Sequence, residues 1–166
     1  MDVKKINIIL NDFEKSDPTL YFHSERVAMI CYAFAQEINL SFPEREIAYF
    51  CGMLHEIGKY YLEGCDEFDE EYDVDDICFD KDFSKLVPVL NNKKFADDED
   101  IIEKYGYNVN IIKLIVALAD KYDNLRLDGL THEKSCEVLR RDYKKHNNMV
   151  TFLLKTIIKN KLNHEY

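Results

Sequence analysis

Between Pro18 and Asn39 the apolar residues Val27, Ile30, Cys31, Phe34 and Ile38 recur at intervals of three and four. That interval belongs to an α-helix with one buried face. A half-buried β-strand needs alternation every second residue instead. The same spacing returns in Ile47, Phe50, Cys51 and Leu54, and again in Val150, Leu153, Leu154, Ile157 and Ile158. A short first helix over residues 3–14 carries Val3, Ile6, Ile8, Ile9, Leu10 and Phe13, and residues 109–126 are the most apolar helical stretch. With only 5 Gly and 3 Pro in 166 residues, the chain lacks the turn formers that a sandwich or barrel requires.

Start signals agree with these periods. Asp17-Pro18 reads as an N-cap followed by Pro at the first helical position, with the helix running to about Asn39. Ser41-Phe42-Pro43-Glu44 opens the next helix, which Gly58 ends, and Thr131 caps a helix over 132–146 that precedes a last one at 148–163. Residues 83–91 and 96–105 carry shorter helical patterns. The expected fold is all-α, a single domain over 1–166 built as a bundle of about six or seven helices.

One stretch breaks the pattern. Residues 63–82 contain eleven acidic residues and one lysine, a net of −10, which equals the net charge of the whole chain. So dense a run of like charges predicts a mobile acidic loop insertion, and it repels nucleic acid from one face only. Nucleic acid is therefore not an expected partner. No apolar run approaches the ~20 residues of a membrane span, and the N-terminal stretch has no signal-peptide core, so a cytoplasmic protein without membrane attachment is expected. The five cysteines are odd in number and show no C-x-x-C spacing. Cys31 and Cys51, on apolar helical faces, read as reduced core thiols.

Three short stretches carry chemistry: His23-Ser24-Glu25-Arg26-Val27, Gly52-Met53-Leu54-His55-Glu56-Ile57-Gly58-Lys59, and Leu118-Ala119-Asp120-Lys121-Tyr122-Asp123-Asn124-Leu125. Taken singly, each has an ordinary structural explanation. His23 could be a hydrogen-bonded core histidine, His55 a helix-terminal one, Glu56 and Lys59 solvated, and Asp120 on a polar face. Taken together, His, His-Glu and Asp on three separate helices are what a metal site inside a helical bundle requires. His55 and Glu56 are neighbours in sequence and point about 100° apart on a regular helix, so they converge most readily where a helix ends.

The order of these stretches resembles the HD superfamily of metal-dependent phosphohydrolases. The nearest likeness is to the HD-GYP branch, which cleaves cyclic dinucleotides and reads H-S-x-x-V, L-L-H-D-I-G-K and A-D-x-x-D-A-L. Leu130-Thr131-His132-Glu133-Lys134 and the helix after it resemble that branch's closing segment, so the likeness spans about residues 20–160. The chain departs from the pattern in two places. Glu56 stands where the family has Asp, and no histidine lies between Lys59 and Asp120, where HD-GYP proteins place further ligands. The resemblance implies an HD-type helical bundle. It also implies metal ligands His23, His55, Glu56 and Asp120 holding one divalent transition metal (Mn, Fe, Ni or Zn) per chain. Lys59 and Arg26 would stabilise negative charge, and Asp123 would orient a ligand or serve as general base. The implied activity is hydrolysis of a nucleotide or other small phosphate ester. The alternative is a non-catalytic HD domain that binds a ligand or a partner protein.

Overall fold

The computed structural model describes residues 3–56 and 108–163. Six α-helices account for most of them: α1 Val3–Ser16, α2 Pro18–Glu37, α3 Phe42–Leu54, α4 Val109–Leu127, α5 His132–Asp142 and α6 Asn147–Lys159. No strand occurs among the described residues. The all-α expectation is met. The acidic stretch 63–82, the segments 83–91 and 96–105, and Gly58 and Lys59 lie outside the described residues. No helix among the described residues is long and apolar enough to cross a membrane.

Local chemistry sets the helix ends. The Asp17 carboxylate accepts from the Leu20 amide at 2.9 Å, with Pro18 supplying the pre-set φ of the first turn. The Ser41 amide donates to Glu44 at 2.8 Å, and Asn108 accepts from the Ile111 amide at 3.0 Å. At the far ends, Asn39 turns α2 with φ 61° and Gly129 turns α4 with φ 82°. After each, an amide reaches back five residues, Leu40 to Ala35 at 3.0 Å and Leu130 to Leu125 at 3.1 Å. The helix expected over 132–146 stops at Asp142. Lys144–His146 instead form a short 3-10 turn, because all three side chains are exposed and nothing there could be buried to hold another α-turn.

Helix α2 is the centre of the bundle and packs on α1, α3, α4 and α6. Its face of Val27, Cys31 and Phe34 is fully buried against Ala48 and Cys51 of α3, Ile115 and Leu118 of α4, and Leu153 and Ile157 of α6. Cys31 and Cys51 are buried thiols, and burial pushes both far above the usual thiol range. The α2–α3 crossing is close: a Cβ on Gly52 would lie 2.7 Å from the Ala28 Cα. Only a residue without a side chain fits there. That contact brings the C-terminal end of α3 down onto the first half of α2, where His23 stands.

Candidate metal centre

The three stretches meet on one point. His23 projects from α2 and is 4% exposed, His55 is the residue that ends α3, Glu56 follows it and is 7% exposed, and Asp120 comes from the middle of α4. His55 leaves the helix at its terminus, and from there adjacent His55 and Glu56 both reach the cluster. One donor atom from each of His23, His55, Glu56 and Asp120 lies within 4.8 Å of the other three.

The inner triangle is tight. His23 Nε2 is 3.2 Å from His55 Nε2, and Asp120 Oδ1 is 3.1 Å from the first and 3.4 Å from the second. Glu56 Oε1 stands 3.6 Å from His55 Nε2. Bonds of roughly 2.0–2.1 Å at octahedral or tetrahedral angles place neighbouring ligand atoms roughly 2.8–3.4 Å apart. The triangle has that size, so this donor set fits a divalent transition metal.

Partners behind the cluster aim the two imidazoles. His23 Nδ1 donates to Asp123 Oδ2 at 2.7 Å, and His55 Nδ1 donates to the Gly52 carbonyl at 2.7 Å. Each ring therefore carries a hydrogen on Nδ1 and turns Nε2 inward, where a metal would take the place of any proton on that nitrogen. Asp123 is 0% exposed and also accepts from Arg26, whose Nε lies 2.9 Å from Oδ1 and whose Nη2 lies 2.9 Å from Oδ2. The Asn124 amide donates to Asp120 Oδ1 at 2.7 Å.

Of the residues singled out in the sequence, His23, His55, Glu56 and Asp120 are brought together. Asp123 and Arg26 stand one layer behind them, and Lys59 lies outside the described residues. Asp123 is 0% exposed and meets His23 and Arg26. Sequence reasoning did not identify the Gly52 carbonyl, since a backbone acceptor leaves no mark in residue type. It also passed over Asn124 as a ligand partner, although the Asp120–Asn124 spacing of four is a helical neighbour signal. A cavity of about 540 Å³ lies elsewhere, at the α4–α5 turn, lined by Arg126, Leu130, Thr131, His132 and Asn163 among others, and no cluster residue lines it.

The electrostatics of the metal-free cluster follow from this packing. Burial disfavours charge on His23, but hydrogen bonds to Asp120 and Asp123 outweigh it and raise the imidazole to about 9. Burial also opposes the Asp120 charge. Hydrogen bonds from His23 and His55 prevail and hold that carboxyl well below the usual range. A raised base stabilises the fold when protonated. The His23 contribution is therefore complete below its ordinary value of 6.5 and is lost as pH rises through about 9. A depressed acid works in the opposite direction, so the Asp120 contribution is present above 3.8 and fades as pH falls. Chelator-treated protein is expected to lose stability between pH 6.5 and 9. Urea midpoints that rise over that interval in wild type, but not in His23→Gln, would contradict it.

A family profile described as HD domain matches residues 20–125, the span from the start of α2 to the end of α4 that contains every cluster residue. No curated protein and no solved structure gives a match to the chain.

Proposed function

The chain belongs to the HD domain family, and on that premise we propose that it is a metal-dependent phosphohydrolase acting on a nucleotide or another small phosphate ester. The observation that carries this reading is the triangle of His23 Nε2, His55 Nε2 and Asp120 Oδ1, with sides of 3.1 to 3.4 Å and Glu56 beside it. His23, His55 and Asp120 would hold the ion, with Glu56 as a fourth donor. Imidazole and carboxylate donors together favour Mn, Fe, Ni or Zn over Ca. Such an ion, when bound, supplies Lewis acidity toward water and toward a phosphoryl oxygen.

The rest is done by the chain. Asp123 and the Gly52 carbonyl keep both imidazoles in the ligating tautomer. Among the four donors Asp120 is the most open, with a side chain 32% exposed, so a substrate reaches the cluster past Asp120. Lys59, four residues beyond His55, carries the positive charge assigned to the phosphate. In the reaction a water oxygen bonds to phosphorus, the ester P–O bond breaks, and the leaving alcohol gains a proton. The interval from Lys59 to Asp120 has no histidine, which supports one ion per chain and a simple ester rather than the cyclic dinucleotides of the HD-GYP branch.

The test is metal analysis of purified protein followed by phosphate release from a panel of nucleotides and generic mono- and diesters with Mn, Fe, Ni or Zn. One ion per chain and turnover of at least one ester are expected. Lys59→Ala should then lower the rate while leaving metal content unchanged. The second reading is a non-catalytic HD domain that binds a small phosphate ligand or a partner protein, and the Glu56 departure from the family's Asp supports it. Metal uptake without turnover of any ester would favour that reading.

A further inference from the structure

Arg26 lies one helical turn beyond His23 on α2, and both side chains end on the same carboxylate of α4. Asp123 is fully buried, with Oδ2 taking His23 Nδ1 at 2.7 Å and Arg26 Nη2 at 2.9 Å while Oδ1 takes Arg26 Nε at 2.9 Å. We propose that Arg26 is a positioning residue of the metal centre: by clamping Asp123 it fixes the imidazole of His23 and hence the direction of the Nε2 lone pair. The proposal rests on the metal-binding reading above and deepens it.

The physical reason is that a carboxylate turns about its last side-chain bond. A single acceptor contact to His23 would leave that torsion soft. The planar guanidinium meets both oxygens, which locks the plane of the carboxylate and with it the donor direction of His23 Nδ1. Arg26 also compensates a charge that has no access to water. Its Nε and Nη2 both donate to the carboxylate that accepts from His23.

The experiment titrates Mn(II) into wild type, Arg26→Gln and Arg26→Lys. Folding is checked by circular dichroism, and the His23 ring is followed by nitrogen-15 NMR in metal-free protein. Arg26→Gln is expected to weaken Mn(II) affinity roughly 10–100-fold, the range for loss of a group that orients a ligand. Arg26→Lys returns the charge without the fork, so a smaller weakening is expected. The metal-free His23 Nδ1–H resonance should shift in both variants. Unchanged affinity and an unchanged His23 resonance would overturn the proposal, as would a raised KM for a phosphate ester with Mn(II) affinity intact. Should Arg26→Gln fail to fold, Arg26→Lys decides by the same readouts. A wild type that takes up no Mn(II) would remove the phosphohydrolase reading, and the His23 resonance would still decide whether Arg26 holds the ring.

Discussion

His55→Ala should abolish most metal binding, with a loss larger than the roughly 10–100-fold that follows removal of an orienting group. His55 occupies a corner of the donor triangle, its Nε2 lying 3.2 Å from His23 Nε2 and 3.4 Å from Asp120 Oδ1. It is also the residue from which the chain reaches Glu56, 3.6 Å away. Alanine removes the donor and leaves His23 and Asp120 facing one another as a simple ion pair. A bundle without this histidine keeps its core, because His55 terminates α3 and lies outside the buried apolar cluster. Helical signal should therefore stay near wild type while metal content, read by elemental analysis after dialysis, falls to background. Stoichiometric metal in His55→Ala would show that the ion sits elsewhere.

Gly52→Ala is expected to injure fold and metal centre together. Alanine is the better helix former by about 1 kcal/mol, so an exposed glycine at this position would gain stability from the change. Here the added Cβ would lie 2.7 Å from Ala28 Cα and 3.2 Å from Cys31 Sγ. The first contact is with backbone, so α3 must move away from α2. Overpacking of this kind costs about 1–3 kcal/mol and should outweigh the gain in helix propensity. The Gly52 carbonyl also accepts from His55 Nδ1 at 2.7 Å, so a shift of α3 carries the histidine with it. The expected result is a lower urea midpoint together with weaker Mn(II) binding. A rise in stability with metal affinity intact would mean that the helices have room to part.

How much of this was legible beforehand differs from residue to residue. The buried face of α2 was readable from Val27 through Phe34 because helical burial repeats every three to four residues, and hydrophobicity is a property of residue type. The Asp17-Pro18 and Thr131 starts were readable because capping is local chemistry between residues three apart. The end of α5 at Asp142 was not, since the polar run after it is compatible with a continued helix until its lack of anything to bury is known. His23, His55, Glu56 and Asp120 could be nominated from motif order, but each kept an ordinary explanation as a core or surface residue.

The sequence by itself determined the all-α class, the apolar face of each principal helix, and the short set of polar residues worth testing. All of these depend on residue type and on spacing within one helix. Only the tertiary structure decided that three of those helices bring their polar residues to a common point. It also decided that Asp123 turns its carboxylate to His23 across 100 residues of chain and that Arg26 faces that carboxylate. Those contacts depend on how closely α2 and α3 approach and on the rotation of α4 against them. Both follow from packing the whole core at once, and no local interval in the chain encodes them.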